Sequence, residues 1–144
     1  MKVALLQGGR SLERGVSLRS GMRVTESLLD LGHEVDVMDL GPDLVNRLEA
    51  KRPDVVFIAL HGTEGEDGTI QALLELLGIP YTGPGVAACT RCMDKSLTKY
   101  ILREHDLPTP DWVTYSEASI RDFGAASTFG AAVERVGLPL VAKP

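Results

Sequence analysis

The chain has 144 residues, the size of one ordinary domain or of one domain and part of another. Its formal net charge is −5, and 44% of its residues are hydrophobic and 24% charged, a balance typical of folded globular proteins. These values exclude a disordered, collagen-like or coiled-coil chain. The sequence has no basic stripe for nucleic acid and no apolar run of about 18 residues for a membrane helix.

The amino terminus predicts a buried strand and not a targeting signal. The segment from Val3 to Gln7 is almost continuously apolar, and Gly8 and Gly9 close it. It is too short to be the core of a signal peptide. We therefore expect a cytoplasmic protein without a nucleic-acid or membrane partner.

Strand and helix patterns alternate along the first half of the chain. Apolar residues recur every three or four positions in the predicted helices, which a glycine or proline follows. These helices are predicted at 16–31, around 44–48 and at 67–77, and further strands at 34–40, 54–60 and 79–82. Alternation of this kind predicts an α/β fold whose parallel sheet is covered by helices on both faces.

The pattern changes after the turn-forming segment 82–85, Thr-Gly-Pro-Gly, which is the best candidate for a domain boundary. We therefore predict one domain over residues 1–83 and a second region over residues 84–144. Beyond the boundary, helices are predicted at 87–93, 94–105 and 125–136, and strands at 112–115 and 140–143.

Ligands of parallel α/β sheets bind at the carboxyl ends of the strands. Here those ends are the loops 8–13 and 61–68, whose glycines allow close approach of the backbone to a ligand. His61 follows a buried strand directly and is either a functional residue or an ordinary packed histidine. Glu13 is either a ligand for an ammonium group or a solvated acid, and Arg10 and Arg14 are expected to be solvated.

Two lysines and two cysteines are further candidates. Lys95 and Lys143 are either phosphate ligands or surface charges. Lys143 ends a predicted buried strand, where a cation needs an anion. Cys89 and Cys92 have the spacing of a redox pair or of half a zinc site. We favour two small residues on a helix, because the histidines offer no second paired motif.

Several segments resemble the D-alanine–D-alanine ligases. LHGTEGEDGTIQ at 60–71 is similar to the family signature L-H-G-x-x-G-E-D-G-x-x-Q, which is specific in its length. The other matching segments are GGRSLERGVS at 8–17, GIPYTG at 78–83, MDK at 93–95, and LP and KP at 138–139 and 143–144. Gly15 departs from the pattern, because the family often carries an acid there.

The resemblance implies a Rossmann-like parallel-sheet domain that precedes an ATP-grasp subdomain, the latter incomplete here. It implies an ATP-dependent, ADP-forming ligase for peptidoglycan precursors, in which the carboxylate of one D-alanine is phosphorylated and the amine of a second attacks the acyl phosphate. By the match, Glu13 would hold the ammonium group of the first D-alanine and His61 would lie beside its carboxyl end. Both residues are the catalytic candidates, and Ser17 is a further substrate-binding candidate. Lys95 and Lys143 would contact nucleotide phosphates.

Parts of the family pattern are missing from this sequence: the loop after K-P, the adenine-binding strand, the second-substrate site and the acidic ligands of Mg²⁺. ATP and Mg²⁺ are the implied cofactors, and we expect the metal ligands beyond residue 144 and none in this chain. We therefore expect the chain alone to be inactive. The resemblance also suggests a homodimer. The alternatives are another ATP-grasp carboxylate–amine ligase and a non-catalytic binding or dimerisation module.

Overall fold

The computed structural model describes residues 1–143 of the chain. The strands are β1 (Lys2–Gln7), β2 (Glu34–Asp39) and β3 (Val55–Ile58). The helices are α1 (Arg14–Asp30), α2 (Leu44–Lys51), α3 (Thr69–Leu76), α4 (Val86–Met93), α5 (Lys95–Glu104), α6 (Glu117–Phe123) and α7 (Ala125–Val136). The chain divides into two compact units between Asp94 and Lys95, and the predicted domain boundary after Gly83 stays a prediction. Across residues 1–143, none of the helices has the length and apolar character to cross a membrane.

The first unit is built on a three-stranded sheet in the order β2-β1-β3. Both pairings are parallel, with Leu5 opposite Val37 of β2 and Phe57 of β3. Side chains alternate between the faces of a strand. Ala4 and Leu6 join the apolar cluster that α2 and α3 cover, so the buried Val3 and Leu5 face the opposite side, where α1 packs on β1 and β2. The predicted α/β class with a parallel sheet is confirmed.

Helix ends follow the predicted glycine signals. The residue after the C-cap of α1 is Gly32, whose φ of 78° belongs to the left-handed region that glycine favours. Its amide donates to the carbonyl of Leu29 at 2.9 Å, and the amide of His33 donates to Leu28 at 3.0 Å. These bonds satisfy carbonyls that would otherwise lack partners at the helix end.

Three predicted strands are corrected by the structure. Residues 79–82 make only one parallel bridge, between Tyr81 and Val56. Residues 112–115 and 140–143 form no strand, and Val141 is 80% exposed. A strand requires a neighbour to satisfy its backbone groups, and these two segments pair with no strand within residues 1–143.

The second unit is mostly helical and has little core of its own. The ring of Trp112 lies edge-on to Tyr100, with centroids 5.0 Å apart, and the Arg103 guanidinium lies 4.4 Å from the ring centroid. Helix α6 was not predicted, although Ser116 caps it by accepting the amide of Ser119 at 3.0 Å. The predicted helix at 125–136 is confirmed as α7.

Candidate functional site

The carboxyl ends of β1 and β3 are joined by Ser17, which lies in the first turns of α1. Its hydroxyl donates to the carbonyl of Ala59 at 2.7 Å and accepts from the amide of Gly8 at 2.8 Å. Ser17 is fully buried. Because both of these partners are backbone groups of the sheet edge, this hydroxyl fixes the two loops against each other.

Glu13 lies beside the second loop. Ser11 donates its hydroxyl to the carbonyl of His61 at 2.7 Å, and accepts the Glu13 amide at 3.1 Å. Gly62 has a φ of 71°, and a Cβ there would lie 2.6 Å from Glu13 Oε2. The position therefore favours glycine both by its backbone conformation and by the space that the Glu13 carboxylate occupies. The two loops at the carboxyl ends of β1 and β3 thus lie against each other.

His61 is half-buried between two polar side chains. Its Nδ1 lies 3.3 Å from Glu66 Oε1, and its Nε2 lies 3.2 Å from Ser20 Oγ. A carboxylate only accepts hydrogen bonds, so Nδ1 carries a proton and donates to Glu66, and in a neutral imidazole Nε2 then accepts from the Ser20 hydroxyl. Glu66 Oε2 also accepts the amide of Gly62 at 3.1 Å. The orientation of the imidazole is thus fixed from both sides.

Two arginines that we expected to be solvated are exposed and also form ion pairs. Arg10 pairs with Glu64, donating through Nε to Oε1 at 2.8 Å. Arg14 Nη2 lies 2.6 Å from Asp39 Oδ2, at the end of β2. Hydrogen bonds from these guanidinium groups are the main reason that the pKa of Glu64 and the pKa of Asp39 lie below their usual values. Both arginines are exposed, and their partners lie far away in sequence.

The loop 61–68 has a rigid internal frame. Asp67 accepts the amides of Glu64 and Thr69, both at 2.9 Å. Burial alone would raise its pKa, but these amide hydrogen bonds hold that pKa below the usual value. The buried Gln71 donates through Nε2 to the carbonyl of Gly65 at 2.7 Å. The signature residues thus maintain the shape of the loop that presents His61.

The two candidate lysines belong to the second unit. Lys95 is the first residue of α5 and Lys143 lies outside any helix or strand; both are exposed and belong to the second unit. Within residues 1–143, neither ammonium group has an ion-pair partner. Both charges are therefore available to an anion such as a phosphate.

The cysteines lie on α4 as free thiols, Cys89 buried and Cys92 exposed. Burial raises the pKa of the Cys89 thiol, which disfavours the reactive thiolate. This agrees with the interpretation of two small helix residues. Across the described part of the chain, no group of three or more His, Cys, Asp or Glu side chains is placed to hold a metal ion. These residues do not by themselves fit the oxygen-rich shell of Mg²⁺.

Sequence reasoning missed Ser20 and Asp39 as members of the site. A signal for Ser20 existed, because it lies one helical turn after Ser17 on α1 and therefore near the same sheet edge. Asp39 ends a predicted strand at the same edge, where ligand loops gather. Neither signal reveals which arginine or histidine the residue contacts.

Comparison with known sequences identifies similar proteins. A family model described as "D-ala D-ala ligase N-terminus" matches residues 40–84. A D-alanine–D-alanine ligase of Moorella thermoacetica is 46% identical over 143 residues, which is 99% of this chain and 46% of the relative. One from Aquifex aeolicus is 50% identical over 115 residues, covering 80% of this chain and 40% of the relative. The chain thus spans less than half the length of these curated relatives.

Solved structures of the same name share the fold. The D-alanine–D-alanine ligase of Coxiella burnetii matches with a TM-score of 0.75 and 29% identity, over 95% of this chain and 50% of that one. The ligase of Bacillus anthracis, solved in complex with ATP, matches with a TM-score of 0.70 and 35% identity, over 86% of this chain and 45% of that one.

The parallel sheet and the two loops at its carboxyl edge therefore have the fold that these ATP-grasp proteins share over about half of their length. More particularly, the chain is similar over 99% of its length to D-alanine–D-alanine ligases, and the family model that matches it describes their amino terminus.

Proposed function

We propose that this chain supplies the first-substrate site of an enzyme that joins two D-alanines with ATP, in the cytoplasm, for peptidoglycan precursors. The observation that carries the proposal is the position of the Glu13 carboxylate beside Gly62. Gly62 follows His61 within the signature match, and Ser11 binds the carbonyl of His61. The relatives named for this activity align over nearly the whole chain. The chain covers only part of those relatives, so the proposed activity belongs to the longer protein.

Glu13 provides the charge that an amino-acid substrate needs. A D-alanine zwitterion carries an ammonium group, which a carboxylate attracts and accepts hydrogen bonds from. Glu13 is exposed at the amino end of α1. A substrate ammonium bound there would place the substrate carboxylate within the same sheet edge, on the side of the His61 loop. In the proposed reaction that carboxylate becomes an acyl phosphate, and the second amine displaces phosphate from it.

His61 is proposed to act at the carboxyl end of that substrate, and Ser17 and Glu66 as positioning residues. Ser17 is fully buried, and its hydroxyl is bound to the amide of Gly8 and the carbonyl of Ala59. We therefore propose that it holds the two loops in place and does not contact the substrate. Glu66 fixes the imidazole with Nδ1 protonated. Such fixed orientation contributes to rate because groups need not reorganise during reaction.

Lys95 and Lys143 are proposed to contact the phosphates of ATP. Their two ammonium groups would balance the negative charge of the phosphates. The ligands of Mg²⁺ are proposed to lie in the rest of the longer protein. When bound, the metal would neutralise charge on the phosphates. A homodimer is the proposed assembly.

The first experiment is the intact mass of the protein as its own cell produces it. A mass well above 15.5 kDa would identify this chain as a fragment, and the longer protein would then be assayed for D-alanine-dependent phosphate release from ATP. A natural mass of 15.5 kDa would contradict the assignment of this chain to a longer protein and favour a non-catalytic module or one half of a two-chain ligase.

Substitution of His61 tests the site itself in the longer protein. We expect His61→Ala to lower kcat/KM for D-alanine by about tenfold to a hundredfold. The matched control is His105→Ala, at an exposed histidine just after α5. Equal activity of the two variants would contradict the assignment of His61. Phosphate release that depends on a different amino or hydroxy acid would instead indicate another carboxylate–amine ligase.

A further inference from the structure

Five acidic side chains border the carboxyl edge of the sheet, and all but one of them are bound by a charged or polar partner. Asp39 is paired with Arg14, Glu64 with Arg10 and Glu66 with His61, and Asp67 accepts the amides of Glu64 and Thr69. The exception is Glu13, whose carboxylate takes part in no ion pair among residues 1–143. Of the five, Glu13 is therefore the one that is open to an ammonium group.

The contact between Arg10 and Glu64 occupies both oxygens of the carboxylate. Oε1 accepts from Nε of Arg10 at 2.8 Å and also from Nη2, and Oε2 accepts the backbone amide of Arg10 at 3.1 Å. The Glu64 side chain is 20% exposed, whereas that of Arg10 is 87% exposed. Arg10 thus neutralises a carboxylate that lies between the two loops of the candidate site.

Glu64 has a backbone conformation that glutamate rarely adopts. Its φ of 73° lies in the left-handed region, which costs free energy for a residue with a long side chain. The loop maintains this conformation, because the Glu64 amide donates to Asp67 at 2.9 Å and the Glu64 carbonyl accepts the amide of Ile70 at 3.1 Å. Residues held in this region concentrate at functional sites. Glu64 follows Gly62 by two residues, so without Arg10 its carboxylate would be a second anchor for ammonium near Glu13.

We propose that Arg10 is a specificity-determining residue, which neutralises Glu64 and so leaves Glu13 as the single ammonium anchor of the first-substrate site. This inference rests on the proposed function. A substrate with one ammonium group, such as D-alanine, then has one anchor and one binding mode. An amino acid whose side chain carries a second ammonium group loses the water around that group and finds no free carboxylate in return. The site therefore discriminates against diamino acids by charge as well as by size.

The test compares two D-amino acids that differ in one charge. D-ornithine carries an ammonium group at the end of its side chain, where D-norleucine carries a methyl group of similar size. The inhibition constant of each is measured against D-alanine in the phosphate-release assay, with the protein at its natural length. In the unchanged protein, D-ornithine should bind no better than D-norleucine. We expect Arg10→Ala to shift the ratio of the two constants at least about threefold in favour of D-ornithine, because Glu64 then attracts the second ammonium group.

Three further variants separate the effect of charge from a change of structure. Arg10→Ala combined with Glu64→Gln should restore the ratio of the unchanged protein, because glutamine has no charge to attract a cation. Arg10→Lys retains the positive charge and should retain the ratio. Arg47→Ala removes the same charge from a different ion pair, the contact of 3.3 Å with Asp36, and should also leave the ratio unchanged. Circular dichroism should show the same helix content in every variant, because Arg10 is exposed.

The outcomes distinguish this inference from the proposed function. An unchanged ratio in Arg10→Ala would overturn the inference, and so would a shift that persists when Glu64→Gln is added or that appears equally in Arg47→Ala. Each of these results leaves the proposed function standing as long as the unchanged protein releases phosphate with D-alanine. If the unchanged protein shows no such release, the proposed function is overturned, and this inference with it.

Discussion

Arg14, the first residue of α1, is joined to Asp39, the last residue of β2, by a contact of 2.6 Å between Nη2 and Oδ2. The other oxygen of Asp39 accepts the amide of Gly9 at 2.8 Å. One carboxylate thereby connects the end of β2 to the loop after β1 and to the helix that follows it. The contact lies at the edge of the sheet where the site is formed.

This contact makes stability depend on pH. The hydrogen bond from Arg14 lowers the pKa of Asp39 in the folded protein. The ionised Asp39 therefore contributes fully to the free energy of unfolding at pH values above the usual carboxyl pKa. That contribution is lost as the pH falls through the lowered pKa of the folded state. We expect urea unfolding of Asp39→Asn to vary less between about pH 6 and about pH 3 than that of the unchanged protein. Glu49→Gln, at an exposed position of α2, is the control and should retain the full dependence.

Ser17→Ala should destabilise the fold. The change removes the hydroxyl that binds Gly8 and Ala59 in a fully buried place, and an unsatisfied buried group costs about 1–3 kcal/mol. Ser27→Ala on the same helix removes an exposed hydroxyl that bonds only to the carbonyl of Arg23. That control should change the free energy of unfolding by less than about 0.5 kcal/mol. Equal effects of the two substitutions in urea denaturation would refute the role given to Ser17.

The two glycines of α1 should respond oppositely to alanine. A Cβ at Gly21 would lie 2.0 Å from Gln7 Oε1 and 2.8 Å from Gln7 Cβ, so Gly21→Ala should destabilise by about 1–3 kcal/mol through overpacking. At Gly15 the nearest contact is the flexible Arg19 side chain at 3.7 Å. Gly15→Ala should stabilise by about 0.5–1 kcal/mol, because alanine loses less backbone freedom on folding. Thermal unfolding of the two variants side by side measures the difference, and a shift in the same direction would contradict it.

Hydrogen exchange should separate the two ends of the chain. The buried hydrophobic residues of the described structure lie between Val3 and Cys89, and Thr128 is the buried residue of the second unit. Protection increases with the burial of the surrounding core, so residues 86–144 should exchange faster than residues 1–83. Mass spectrometry of peptic fragments after deuterium labelling tests this expectation. Equal protection of both regions would show that it is wrong.

Local patterns in the sequence were sufficient for most of the first unit. The period of α1 and its stop at Gly32 depend only on neighbouring residues, so they could be predicted, and so could the apolar β1. Strands at 112–115 and 140–143 were predicted from composition alone and were wrong, because a strand also depends on a partner that local composition does not specify.

The site was predictable in position but not in detail. The rule that ligands bind at the carboxyl ends of parallel strands placed Glu13 and His61 in neighbouring loops, and the hydroxyl of Ser11 joins those loops in the structure. The contacts of Arg10 with Glu64 and of Arg14 with Asp39 could not be predicted. They join residues far apart in sequence, and a single sequence contains no signal for such pairs.

The central position of β1 has a consequence for how the protein is made. Synthesis proceeds from the amino terminus, so β1 leaves the ribosome before β2 and β3, with which its two edges pair. Once β2 has formed, the other edge of this apolar strand stays open until Ile58, the last residue of β3, has emerged. Open strand edges are prone to aggregation. The nascent chain therefore leaves one edge of β1 unpaired until Ile58 is free to complete the sheet.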